Sequence, residues 1–163
     1  MPGPIRTLLP PGGFSNLVGY HVAALDVGLD ALKEAARAVP AARLHAEPAP
    51  GLATPARTLV ASGLRESAWV HDAVGGVPTP PAPDPAASLP AILGWLDAVR
   101  TVSLMVLRPL ADRDLERLVK LPGSDAPTSV RRLLSELLEH QAERRGELRV
   151  AASLLRRGQV NAP

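Results

Sequence analysis

Residues Thr128–Arg157 read TSVRRLLSELLEHQAERRGELRVAASLLRR, and this stretch decides the fold. Its apolar positions Val130, Leu134, Leu137, Leu148, Ala151 and Leu155 recur at spacings built from fours and threes, the period that keeps one face of a helix turned inward. Gln141 and Arg144 fall on the same spacing, with His140 beside them. Burying an unpartnered charge costs roughly several kcal/mol, so Arg144 must be paired, solvated in a cavity or facing a ligand.

Working outward, three more long helical segments are separated by proline- and glycine-rich stretches that forbid helix. The first runs from about Ser15 to Ala38 with a stripe of Val18, Val22, Leu25, Leu29, Leu32 and Ala36. The second begins at Thr54, a capping residue, and Pro55, which suits the first helical position; it ends at Gly75-Gly76. Its inward face carries Ala56, Val60, Gly63, Val70 and Val74, with Glu66 at the border. Five prolines in Val77–Ala87 predict an extended loop, and the third helix runs from Ser88 to about Leu107 through Ile92, Leu96, Val99 and Val106. Asp112 is placed to cap a short helix through Val119, Lys120–Pro127 reads as a loop, and Gly158 closes the last helix. No period-two strand of useful length is visible. The expectation is an all-α four-helix bundle with long loop connections and a short extra helix.

Composition narrows the function. A length of 163 residues fits one domain over 1–163, with 46% hydrophobic and 21% charged residues. Without cysteine there are no disulfides, no thiolate metal sites and no cysteine nucleophile. A net charge of +2, arginines interleaved with glutamates and only four aromatics (Phe14, Tyr20, Trp69, Trp95) point away from nucleic acid. Arg131, Arg132, Arg149, Arg156 and Arg157 read as a solvated face. No apolar run reaches the roughly 18 to 20 residues that span a bilayer, and Met1–Gly13 lacks a secretion pattern, so no membrane and a cytoplasmic location are expected.

Two segments then carry a resemblance. Leu110–Val119 (LADRDLERLV) followed by Thr128–Leu148, together with Ala61–Trp69 (ASGLRESAW) and Gly75-Gly76, is similar to the DinB/YfiT-like superfamily. The resemblance implies a four-helix bundle, often a homodimer. In many members it implies a divalent metal, zinc or nickel, on three histidines, one on helix two and two at i, i+4 on helix four. Several relatives are transferases or isomerases using mycothiol or bacillithiol. Carried over, the three ligand positions fall at Ala61, His140 and Arg144, and only one is histidine. Alanine supplies no ligand, and a guanidinium stays protonated where the cation would sit.

The expected site is therefore a metal-free pocket of Ala61, Glu66, His140 and Arg144, with no cofactor, in which Arg144 pairs with Glu66 or with an anionic ligand. His140 reads either as part of that pocket or as a hydrogen-bonded core histidine, and Arg144 either as an anion receptor or as an internal ion pair. A metal site rescued by Glu136 and Glu143 beside His140 is the weaker alternative to a solvated carboxylate face. His21 edges the first helix's stripe, while His45 and His71 sit in or beside loops where surface roles are usual. Trp69 and Trp95 read as core or interface anchors. Gly63 and Gly146 suggest close helix approach or pocket space. Three functions fit. One is a small-molecule-binding or stress-associated protein taking an anionic or thiol-conjugated ligand. Another is a thiol-dependent transferase or hydrolase with candidate catalytic base His140. The last is a structural dimerisation module.

Overall fold

In the computed structural model, which describes residues 9–160, four helices form where the pattern places them. Of the opening stretch Met1–Gly13, residues 1–8 lie outside that range. The helices are α1 (Asn16–Arg37), α2 (Pro55–Glu66), α3 (Leu89–Leu107) and α4 (Val130–Val160). Thr54 accepts from the Arg57 amide at 3.3 Å at the head of α2, and Ser88 accepts from Ala91 at the head of α3. α2 does not stop at Glu66. It continues as a π-helix, Ser67–Gly75, and ends on Gly76 in the left-handed conformation (φ 61°), whose neighbour Val77 donates back to the His71 carbonyl.

Four expectations need correction. The segment after Asp112 is a 3-10 turn, Asp112–Glu116, followed by a strand, β1 (Leu118–Lys120), which pairs antiparallel with β2 (Pro127–Ser129). Strands of three residues are too short to display a period of two, so the hairpin leaves no pattern to read. Asp112 does not cap its own turn, where Asp114 accepts from the Ala111 amide at 2.7 Å. It accepts instead from the amides of Leu17 (2.8 Å) and Val18 (3.3 Å), capping α1 from 95 residues away. At the other end of the chain α4 passes through Gly158 to Val160. Finally, α3 is long and apolar enough by length and composition to cross a membrane, with mean hydropathy 1.4 over a window 44% buried. Its Asp97 and Arg100 interrupt the apolar run in the sequence, and Arg100 is taken up inside the bundle.

α4 packs on α1 and α2, and α3 packs on α2 and its π-helical continuation. The apolar core is divided. Towards one end Val22, Leu25, Val70, Val106, Leu134 and Leu137 form one cluster; towards the other Leu29, Leu32, Leu59, Ile92, Leu96 and Leu148 form a second. On every helix a polar residue lies between the two sets in sequence: Asp26 on α1, Glu66 at the end of α2, Arg100 and Ser103 on α3, and Gln141 on α4. The bundle thus carries a polar storey between two oily ones.

Small residues set how closely the helices approach. A Cβ built on Gly63 would lie 2.6 Å from Trp95 Cη2 and 2.8 Å from Leu96 Cδ2, so glycine is what lets α3 seat its indole on α2. Gly146 meets nothing within 4 Å, so it marks neither a close approach nor a wall of a pocket.

Candidate functional site

The polar storey holds the deepest charged groups among the described residues. Glu66 is 4% exposed and Arg100 5%. The Arg100 guanidinium donates from Nε to Glu66 Oε1 at 2.8 Å and from Nη2 to Oε2 at 3.0 Å, a two-pronged fork, and from Nη1 to Asp26 Oδ1 at 2.7 Å. Burial alone would lower the Arg100 pKa, but Glu66 and Asp26 outweigh it and raise it above the ordinary value. Ser103 Oγ gives its single proton to Glu66 Oε1 at 2.7 Å, and Gln141 Nε2 approaches Oε2 at 3.4 Å.

His71 joins this group. The expectation of a surface role is overturned: the residue is fully buried on the inward side of the π-helical stretch Ser67–Gly75. Its Nε2 faces the Val99 carbonyl (3.0 Å), which can only accept, so Nε2 carries the proton and Nδ1 accepts from the Thr79 hydroxyl at 3.2 Å. Burial lowers its pKa, with Val99, Glu66 and Asp72 pulling the other way, so the ring is neutral at pH 7. A chain of oriented hydrogen bonds therefore runs from Thr79 in the proline-rich loop through His71 and Ser103 to Glu66. Ser103 and His71 are 0% exposed, so this serine is closed to a substrate from solvent.

The four residues expected to share a pocket do not share one. Ala61 is exposed and borders a shallow cavity with Arg57, Leu64 and Pro83. Glu66 belongs to Arg100, and the expected pairing of Glu66 with Arg144 is replaced by an ion pair between Arg144 Nη1 and Glu147 Oε2 at 2.8 Å. The reason is reach: the seam position nearest Glu66 on α4 is Gln141, and Arg144, nearly one turn further on, lines a different space. That space is a cavity of about 330 Å³ between the α1–α2 connection and α4, walled by Leu52, Ala53, Val150 and Ala151, with Thr58, Arg144 and Glu147 as polar lining.

His140 and Arg144 do come together. His140 is half-buried, and its pKa is pushed down to about 4, first by burial and then by Arg144 and Arg65, against the pull of Glu143. His140 Nε2 and Arg144 Nε are buried atoms without a hydrogen-bond partner among the described residues. Arg65 itself lies over the Trp69 ring, 5.1 Å from its centroid. The imidazole binds its proton more tightly in the unfolded chain than in the fold. Its contribution to stability is therefore complete above pH 6.5 and lost as pH falls towards 4. Discounted for its half-exposed position, the loss should reach roughly 1 kcal/mol. Urea titrations at pH 7 and pH 4.5 check this: His140→Gln should show a smaller fall in stability than the parent, while His71 and His21, also lowered by burial, keep the remainder of the slope.

The donor set does not fit a metal. The three positions implied by the resemblance hold one imidazole, one alanine and one guanidinium, with Ala61 on another face of α2. Among the described residues no three histidine, cysteine, aspartate or glutamate side chains gather in one place, and Glu136 is held by Arg132 at 2.7 Å. Arg100 and Ser103 are buried polar residues that the sequence reading passed over, as it did the half-exposed Asp26 beside them. Ser103 lies on the Leu96–Val99–Val106 spacing and would have marked the layer.

No curated protein matches the sequence. A model of the DinB superfamily matches residues 24–148, a span that runs from the middle of α1 through the Arg144–Glu147 pair and takes in the whole polar storey. With the four-helix bundle and the helix-two and helix-four segments already described, this makes the chain a member of the DinB superfamily.

Proposed function

We propose that this DinB-superfamily chain binds a small anionic molecule at Arg144 without metal chemistry. The observation that carries the reading is Arg144 Nε, a buried N–H with no acceptor among the described residues, on a side chain that lines a cavity of about 330 Å³. A buried N–H without an acceptor costs about 1–3 kcal/mol, and a bound acceptor would remove that cost. The first-turn amides of α2 offer no competing anion site, since Ala56, Arg57 and Thr58 all donate within the chain. The open cavity supports a binder over a purely structural dimerisation module. The transferase or hydrolase reading needs His140 as general base, and an imidazole whose conjugate acid has a pKa near 4 is a poor one at neutral pH.

Thermal unfolding in chloride against equal ionic strength of acetate or phosphate tests the reading. An anion at ten times its dissociation constant should stabilise the parent by about 1.4 kcal/mol. Arg144→Gln should lose that response. Equal responses from parent and variant would refute a site at Arg144.

A further inference from the structure

Resting on that anion site, we propose that its ligand is an amphipathic monocarboxylate, a single carboxylate on an apolar body, and that Glu147 is the resident stand-in for the ligand's carboxylate. The walls of the cavity are apolar: Leu52, Ala53, Val150 and Ala151, with Pro48 at the edge. They favour a hydrocarbon or aromatic body and offer nothing to a sugar or a polyphosphate. The polar residues of the lining are Arg144, Glu147 and Thr58. A guanidinium binds a carboxylate best through two parallel N–H groups, yet Glu147 takes only Nη1, at 2.8 Å, and leaves Nε without a partner.

The Glu147 side chain is 45% exposed and sits only three residues from Arg144, so its hold is weak and easily exchanged. Because Arg144 Nε is closed to solvent, the ligand engages it by drawing the guanidinium away from Glu147 into the cavity, where both prongs of the fork are used. Charge limits the ligand to one negative group. Arg144 is the cation that lines the cavity, Glu147 lines it too, and a dianion such as phosphate would meet that carboxylate's repulsion. A monocarboxylate leaves the cluster balanced once Glu147 swings into water.

Titration calorimetry with octanoate, octanol, acetate and inorganic phosphate tests the proposal, with amide shifts from nuclear magnetic resonance to locate the ligand. Octanoate should bind at least tenfold tighter than octanol or acetate and shift Leu52 and Val150. Arg144→Gln should weaken octanoate at least tenfold, while Glu147→Gln, by removing the competitor from a half-exposed position, should tighten it several-fold. Octanol binding as well as octanoate would overturn the proposal. So would weaker binding in Glu147→Gln, or shifts confined to Val102 and Met105, which line a separate apolar cavity. Phosphate binding through Arg144 with no response to octanoate would overturn the monocarboxylate and leave the anion site standing. Neither anion sensing Arg144→Gln would end both.

Discussion

Arg100→Met should destabilise the protein by about 3–5 kcal/mol, the cost of leaving a buried carboxylate without its counter-charge. Glu66 is 4% exposed and receives both prongs of the Arg100 fork, so its negative charge would keep only the Ser103 hydroxyl and a long contact from Gln141. Urea denaturation measures the loss directly. The decisive comparison is the double variant Glu66→Gln with Arg100→Met, which removes both charges at similar volume. It should recover at least half of what the single variant loses, because most of the penalty belongs to the stranded carboxylate and not to a missing attraction. If the double variant is as unstable as the single one, the polar storey stabilises the fold through its net bonding, and the reading of an uncompensated charge is wrong.

The second large effect is expected at Gly63. Adding one methyl group there drives it into Trp95 and Leu96, with 2.6 Å to Cη2 of the ring and 2.8 Å to Leu96 Cδ2. Trp95 is 8% exposed and its indole nitrogen donates to the Pro80 carbonyl at 3.3 Å, so the ring cannot slide away without releasing the proline-rich loop. Gly63→Ala should therefore cost about 1–3 kcal/mol, as overpacking does in other cores, despite the helix-favouring exchange. Gly146→Ala is the matched opposite. Nothing lies within 4 Å of the new methyl group, so the gain in helix propensity, about 1 kcal/mol, should appear as a raised melting temperature. Both substitutions are the same chemical change inside a helix, and only the surroundings set the sign.

These two sites show what the sequence could and could not disclose. The stripe on α1 is buried along its whole length, because a 3.6-residue repeat of apolar side chains leaves one way to hide from water. Thr54-Pro55, Ser88 and Gly76 mark helix ends because capping is local chemistry, settled within four residues. Partnerships across the bundle are a different matter. Arg144 and Arg100 are both arginines on or beside an apolar seam, and spacing alone cannot tell which of them meets Glu66; that depends on how α2, α3 and α4 are set against one another. His71 was misplaced for a different reason. Its nearness to the Gly75-Gly76 break suggests a surface role, but it lies on the inward side of the helical stretch Ser67–Gly75. The cavity beside Arg144 was still less legible, since its far wall comes from the connection around Leu52, where no period exists.

Asp112 gives the chain an order of assembly. Two amides of the first turn of α1 are satisfied by a carboxylate 95 residues downstream. During synthesis that turn must wait, solvated and frayed, while the rest of α1 can already coil, and it locks only after the α3 segment has been made and Asp112 has followed it out. The two amides at the start of α1 thus gain their acceptor only once the segment that carries Asp112 has been made.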